Sequence, residues 1–213
     1  MDTGFITVSS NNSVRIDTGD KIIYIDPYEL DGSSEDADYI FLTHDHYDHF
    51  SLADINKILK YETVFVVPEA MDKKVRKNTF AGRNFPVHPG NSYDADGLKF
   101  ETVPMYNKMK PFHPKLAGWC GYVINVLGKR IYITGDIDVI EEAKSVKCDI
   151  AIVPIGGFYT MNYKEAAGLV NAIKPEVAIP VHYGKVVGKE SDGEDFKKLV
   201  DDGIQVDIKL AFN

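Results

Sequence analysis

Short apolar runs that each stop at a residue able to bind a metal constrain this chain more than any other feature. Ile22–Ile25 runs into Asp26, and Ile40–Leu42 runs into Thr43-His44-Asp45-His46-Tyr47-Asp48-His49. Ile131–Thr134 runs into Gly135-Asp136, and Val177–Pro180 runs into Val181-His182. Apolar runs this short have the length of buried strands. Loops leaving one edge of a sheet bring their side chains together while the strands hold them rigid. The pattern predicts sheets with a functional site along a shared edge.

The rest of the chain fills in that plan. Strands are predicted at Phe5–Val8, Val14–Ile16, Lys21–Ile25, Tyr39–Thr43 and Thr63–Val67, with Asn11-Asn12 and Thr18-Gly19-Asp20 as turns. Helices are predicted over Ser51–Lys60, with Ser51 as cap, and over Glu69–Lys77. The second half repeats the grammar. Strands are predicted at Leu98–Val103, Gly121–Val126, Arg130–Thr134, Asp149–Pro154, Val177–Pro180 and Val206–Ile208, with a hairpin around Gly128-Lys129. Helices are predicted over Tyr163–Ile173 and from Ser191 or Asp192 onward, the latter with Phe196, Leu199 and Val200 inward. The segments 31–38, 77–96 and 107–118 read as loops. Two β-rich halves that each close with helices imply two packed sheets with helices outside, a four-layer α/β (αββα) sandwich. The 213 residues suffice for one core, so a single domain over 1–213 is expected.

A formal charge of −8 argues against broad capture of nucleic acid or of an anionic membrane. Cys120 and Cys148 lie far apart, outside any C-x-x-C spacing, and read as buried thiols of a reducing compartment. Met1–Asn12 has no basic-then-apolar leader and no apolar run reaches membrane-spanning length, so a cytoplasmic enzyme is expected.

The cluster at 44–49 spends half of the chain's six histidines within six residues, which no packing requirement explains. Imidazole with carboxylate suits zinc, manganese or iron. The spacing favours two ions: His44 and His46 facing one, Asp48 and His49 facing its neighbour, Asp136 bridging and His182 completing the second set. Two such cations hold a hydroxide between them and make it available near neutral pH. Asp26 is expected behind a histidine, fixing its tautomer. Asp45 reads as a surface or supporting carboxylate, His88 as an exposed loop residue, and Lys73–Lys77 as a solvated helix face. Gly156-Gly157 reads equally as a plain turn or as a backbone anion nest. Tyr106, Tyr159 and Tyr183 adjoin these segments as packing residues or as proton donors to substrate, Tyr183 being placed with the site.

The combination His44-x-His46-x-Asp48-His49 with Asp26, Gly135-Asp136 and Pro180-Val181-His182 resembles the metallo-β-lactamase superfamily. The segments Ile25–Tyr28, Thr134–Asp138, Pro154–Met161 and Pro180–Gly184 resemble its branch of small cytoplasmic metal-dependent hydrolases. That branch includes the ascorbate-6-phosphate lactonase and resembles the phospholipase D that cleaves N-acyl phosphatidylethanolamine. The resemblance implies the αββα fold and two zinc ions, with manganese or iron as alternatives. It departs at one place: most members supply a histidine after the strand that here reads Phe100–Pro104, and this chain has Met105-Tyr106-Asn107. Asn107 takes that position as a weak oxygen donor, or His113 folds back from its loop. Either change predicts that the ion held by His44 and His46 is the first to be lost.

The expected activity is hydrolysis of an ester-type bond, such as a lactone or phosphodiester, in a small substrate that is phosphorylated in one version of the reading. Asp48, Asp136 and His113 are the candidate catalytic residues, with His113 or a tyrosine protonating the leaving group. A nuclease-like phosphodiesterase and a metal-binding sensor with weak catalysis are the alternatives. A homo-oligomer is compatible with the sequence. An oxygen-reducing role is disfavoured, because related diiron proteins carry a glutamate where His46 stands.

Overall fold

The apolar runs assemble into two mixed sheets. The computed structural model describes residues 1–212. Its first sheet takes β1 (Ile6–Val8), β2 (Val14–Asp17), β3 (Ile22–Ile25), β4 (Tyr39–Phe41), β5 (Val64–Pro68) and β6 (Arg83–Val87) in chain order. The second takes β7 (Ser92–Ala95), β8 (Leu98–Pro104), β9 (Cys120–Val126), β10 (Lys129–Ile133), β11 (Ile150–Pro154), β12 (Val177–Val181) and β13 (Gln205–Val206). Each sheet begins antiparallel and turns parallel, the first from β3 onward and the second from β10 onward. Parallel neighbours need crossover connections. In the first sheet the β3–β4 crossover is a loop and helices α1 (Leu52–Ile58) and α2 (Glu69–Asn78) provide the other two, while α3 (Glu141–Lys144), α4 (Tyr163–Ile173) and α5 (Asp192–Lys197) provide those of the second.

Strand alternation decides what each residue buries. In β4 and β5, Tyr39, Phe41, Val64 and Val66 face the core between the sheets, while Ile40, Phe65 and Val67 pack with Ile55, Ile58, Met71 and Val75 of α1 and α2. Both faces are covered, which explains why these strands are unbroken apolar runs. Ala166, Leu169, Val170 and Phe196 of α4 and α5 join the core on the other side. The sheets meet through Phe41, whose ring stands edge-on to Phe100 and Tyr122 at 5.1 and 5.0 Å between centroids. The Tyr122 hydroxyl donates to the Leu42 carbonyl at 2.6 Å. That bond ties the second sheet to the backbone one residue before the histidine segment.

Several expectations change. Arg83–Val87 and Ser92–Ala95, read as loop, are the facing edge strands of the two sheets. Edge strands escape the apolar-run rule, and an edge is where a strand tolerates a proline such as Pro86. Helix α3 was also absent from the sequence reading; it spans only one turn. The hairpin turns at Leu127-Gly128, both with positive φ (51° and 69°), rather than at Gly128-Lys129. Tight hairpins need both central residues left-handed. Helix α5 ends at Lys197, so helical spacing no longer holds at Leu199, which is 45% exposed instead of inward; Val200 is partly buried against the core. The last strand is Gln205–Val206, not Val206–Ile208.

Candidate metal centre

Each site residue follows the end of a strand or sits in a loop that returns to the same edge. Thr43–His49 leaves β4, Asp26 follows β3, Asp136 follows β10 and His182 follows β12. His113 returns from the loop between β8 and β9. Three of the backbone positions here are non-glycine and left-handed: Asn11 (φ 49°), Asp26 (φ 46°) and His182 (φ 56°). Such conformations cost about 1–3 kcal/mol each and persist where surrounding contacts impose them. The His182 amide donates to the Asn11 carbonyl at 3.0 Å, which couples two of the three. Gly135, also left-handed, lies so close to Met105 that an added Cβ would stand 2.5 Å from its sulfur.

The side chains form two groups. His44, His46 and His113 bring ligand atoms within 4.8 Å of one another, and Asp48, His49 and His182 do the same. His44 Nε2 and His46 Nδ1 are 3.1 Å apart. Two nitrogens sharing a tetrahedral zinc at 2.0–2.1 Å stand about 3.3 Å apart. Asp136 joins the groups: its Oδ2 lies 3.5 Å from His113 Nε2, 3.5 Å from His49 Nε2 and 3.3 Å from His182 Nε2. Asp48 Oδ2 lies 3.4 Å from His182 Nε2 and 3.6 Å from His49 Nε2.

The far side of each imidazole decides which nitrogen faces inward. His49 Nδ1 meets Asp26 Oδ2 at 2.7 Å, and Asp26 also accepts from the Thr43 amide (2.8 Å) and hydroxyl (2.6 Å). His44 Nδ1 lies 3.0 Å from the Thr43 hydroxyl. His113 Nδ1 donates to Asn107 Oδ1 at 2.8 Å. These contacts leave the Nε2 atoms of His49 and His113 buried with no hydrogen-bond partner, and His182 is buried with neither ring nitrogen partnered. Buried polar atoms of this kind are rare unless a water or an ion satisfies them. Converging imidazole and carboxylate donors fit divalent cations, and the residues present therefore suit the metals that the sequence implies. Asp26, although near His44 and His49, spends its oxygens on Thr43 and on the outer nitrogen of His49 and stands behind the ligands.

Charge in the site is uneven. Burial pushes the His44 and His46 imidazoles down, His44 far below its ordinary value, and takes His113 down to about 4. Burial acts the same way on His182 and His49, yet Asp136 overcomes it. His182 is held up at about 9, and His49, which also has Asp26 against it, is held well above its ordinary value. Burial would raise Asp136 and Asp48, but His182 and His49 keep both below the ordinary carboxylate range.

The sequence-predicted residues divide accordingly. His44, His46, Asp48, His49, Asp136 and His182 converge. His113 folds back to join His44 and His46, so the histidine lacking at the usual position is supplied by a later loop. Asn107 is not among the converging donors: its Oδ1 faces His113, and its Nδ2 donates to Asp138 at 3.2 Å. His113, with its proton on Nδ1 and its inner nitrogen aimed at the group, has no proton to give a leaving group. Tyr183 packs in the core against Phe212 (5.4 Å) instead of lining the site, because its side chain leaves the strand end opposite to His182. Tyr106 points to Glu142, its hydroxyl donating at 3.0 Å. His88 is exposed, and Asp45 pairs with Lys74 at 2.8 Å. Gly156-Gly157 is a turn: the Gly157 amide donates to the Met161 carbonyl at 3.0 Å.

Asn11 and Asn12 are the residues that sequence reasoning missed. Asn11 Nδ2 donates to Asp48 Oδ2 at 2.6 Å, and Asn12 Nδ2 donates to Asp136 Oδ1 at 3.0 Å. Both are buried, which sets them apart from ordinary turn asparagines. Only the β1–β2 hairpin's approach to the second sheet reveals it. The site opens into a cleft of about 270 Å³ lined by His46, Asp48, Asp136 and His182 on the floor and by Tyr47, Phe112, Tyr159 and Val186 on the walls. Trp119, the chain's single tryptophan, lies beside the first group, 5.1 Å from His44 and 5.3 Å from His46.

Comparison with known proteins agrees with this architecture. The model of the beta-lactamase superfamily domain matches residues 5–182. A UPF0173 metal-dependent hydrolase of Thermococcus onnurineus is 33% identical over 208 residues, covering 89% of each chain. One from Pyrococcus abyssi is 31% identical over 205 residues, covering 88% of each. A crystal structure from Parabacteroides distasonis, described as a metal-dependent hydrolase, superposes with a TM-score of 0.82 at 30% identity, over 97% of this chain and 93% of that one. With its strand-end histidines and aspartates gathered at one edge of two packed sheets, the chain belongs to the metal-dependent hydrolase family of the β-lactamase superfamily.

Proposed function

We propose that the chain hydrolyses an ester-type bond in a small substrate at a two-metal centre, with zinc as the metal and manganese or iron as alternatives. One observation carries the reading: a single oxygen, Asp136 Oδ2, lies within 3.5 Å of inward nitrogens from both histidine groups. Two bound cations there would lower the pKa of a water near neutrality and polarise the scissile oxygen. His44, His46 and His113 would hold one, and Asp48, His49 and His182 the other.

The remaining work falls to the chain's own side chains. Asn12 fixes the outer oxygen of Asp136 and leaves the inner one facing both histidine groups, where it would accept a hydrogen bond from the attacking water. Asn11 holds Asp48 differently, donating to Oδ2, the oxygen that also faces His49 and His182. Asp26 and Asn107 fix the tautomers of His49 and His113 and so keep their lone pairs inward. The hydroxyls of Tyr47 and Tyr159 are the protic groups on the cleft wall outside the ligand set, and they are the proton donors we favour for the leaving group.

The test is hydrolysis of a panel of lactones, carboxyl esters and phosphodiesters by zinc- and manganese-loaded protein. Turnover should vanish on chelation, return with metal, and fall at least about a hundredfold in Asp48→Ala. Turnover that persists through exhaustive chelation would contradict the proposal.

A further inference from the structure

The cleft that holds the proposed metals is walled by rings, and its rim is unusually apolar for an acidic protein. Phe112, Phe158 and Tyr159 form one aromatic cluster, with centroids 5.6 Å (Phe112–Phe158), 4.7 Å (Phe112–Tyr159) and 4.8 Å (Phe158–Tyr159) apart. Phe158 is nonetheless 65% exposed. Tyr47, 66% exposed, and Val186, 38% exposed, stand on the cleft as well. Large exposed apolar side chains scattered singly need no explanation; a contiguous group at the mouth of a site does.

These rings are held still. The Phe158-Tyr159 turn is closed by the Gly157–Met161 hydrogen bond and by a bridge between Gly156 and Asn162. Asn162 then caps α4, accepting from the Lys164 and Glu165 amides while Glu165 accepts from the Asn162 amide. Lys110 ties this turn to the His113 loop, donating to the Thr160 carbonyl at 2.5 Å and to Asp138 at 2.6 Å. A rigid apolar surface contributes binding free energy without an ordering cost at the moment of binding.

Charge points the same way. Among the described residues no lysine or arginine lines the cleft. The nearby lysines are committed to carboxylates: Lys110 to Asp138, Lys185 to Glu29, Lys74 to Asp45 and Lys115 to Glu142. A phosphoryl group remote from the scissile bond would find no lysine or arginine on the cleft wall and would meet the edges of rings.

We infer that the substrate is an uncharged ester or lactone carrying an alkyl or aryl group, which lies against Phe112, Phe158, Tyr159 and Val186 while the scissile bond sits over Asp48 and Asp136. The inference rests on the two-metal reading above and adds to it the class of substrate.

Binding can be read without turnover. Alkyl hydroxamates chelate metals but carry no hydrolysable ester, and Trp119 reports their arrival beside His44. In zinc-loaded protein, affinity should rise roughly two- to fourfold per added methylene from acetohydroxamate to octanohydroxamate. Phe158→Ala should lower the octano-to-aceto affinity ratio about tenfold, and Val186→Asp, on an exposed position, should do the same if the first variant folds poorly. Inorganic phosphate should compete no better than acetohydroxamate. A flat series in metal-loaded protein, a slope that survives both substitutions, or tighter binding of phosphate overturns the inference. So does a stable dimer that excludes the long hydroxamates and that Phe158→Ala dissociates, since the rim would then be an interface between copies. A slope that holds while no ester or lactone is cleaved leaves the apolar rim standing and sinks the hydrolytic reading instead.

Discussion

At the scale of single residues, two exchanges define the site. The first is His113 with Asn107. The chain lacks an imidazole directly after β8, and a residue six positions later, at the far side of the loop, completes the trio with His44 and His46. Asn107 stays where the sequence pattern expects a ligand but turns its amide oxygen to the back of His113. The expectation that a metal at His44 and His46 is lost first rests on a missing third histidine, and His113 stands beside the pair; burial pushes all three imidazoles down. A second cation among Asp48, His49 and His182 would meet His182, held up at about 9, and His49, held higher than its ordinary value. In protein stripped by chelator these two carry protons that a cation must displace. Zinc competition against a chromophoric chelator should show the affinity of one equivalent climbing as pH rises toward about 9, with the other nearly level over the same range. The linked stability follows the sign of a raised pKa. The contribution of His182 to the stripped fold is complete below about pH 6.5 and is lost as pH climbs through about 9. Two equivalents with identical pH profiles would contradict this assignment.

The second exchange is Asn11 with Asn12. As sequence they are turn residues, and as structure they are the donors that orient Asp48 and Asp136. No local pattern distinguishes the two uses of an asparagine pair, because the distinction lies in which distant residues stand across from them, Asp48 after β4 and Asp136 after β10.

At the scale of elements, what could be read from the chain follows how each element is buried. Strands β4, β5, β11 and β12 are covered on both faces, so they read as apolar runs and were placed nearly to the residue. Helix α4 was placed over Tyr163–Ile173 because its apolar spacing and the stop at Pro175 agree. Edge strands β6 and β7 carry polar residues and a proline, face solvent, and left no such trace. The metal ligands were legible for the same reason as the inner strands: they end them. The turn at 156–162 is legible in the sequence as a glycine pair beside Tyr159, and its aromatic cluster with Phe112 and Phe158 is visible only in the structure. Removing the Asn162 cap of α4 gives a prediction at this scale. Asn162→Ala should cost about 1 kcal/mol, a fall of roughly 2–4 °C in Tm for a chain of this size, while Asn162→Asp should stay close to the parent. An unchanged Tm in the alanine variant would show that α4 is held by packing alone.

At the scale of the whole molecule, two sheets that begin antiparallel and turn parallel bring their strand ends to one edge, and the site sits across the seam. Asp26 and the Thr43–His49 segment come from the first sheet; Asp136, His182 and the His113 loop come from the second. Neither sheet alone carries either histidine group complete. The Phe41–Phe100–Tyr122 contacts and the bond from Tyr122 to the Leu42 carbonyl hold the seam directly beneath the histidine segment. No helix among the described residues is long and apolar enough to cross a membrane. Under the two-metal proposal, His44, His46 and His113 would hold one cation and Asp48, His49 and His182 another across that seam, with Asp136 between them. Elemental analysis of protein purified without chelator and equilibrated with zinc measures it directly. The account predicts about two zinc per chain in the parent and about one in His113→Ala, with the fold retained by circular dichroism. One zinc or fewer in the parent, or two in His113→Ala, would contradict it.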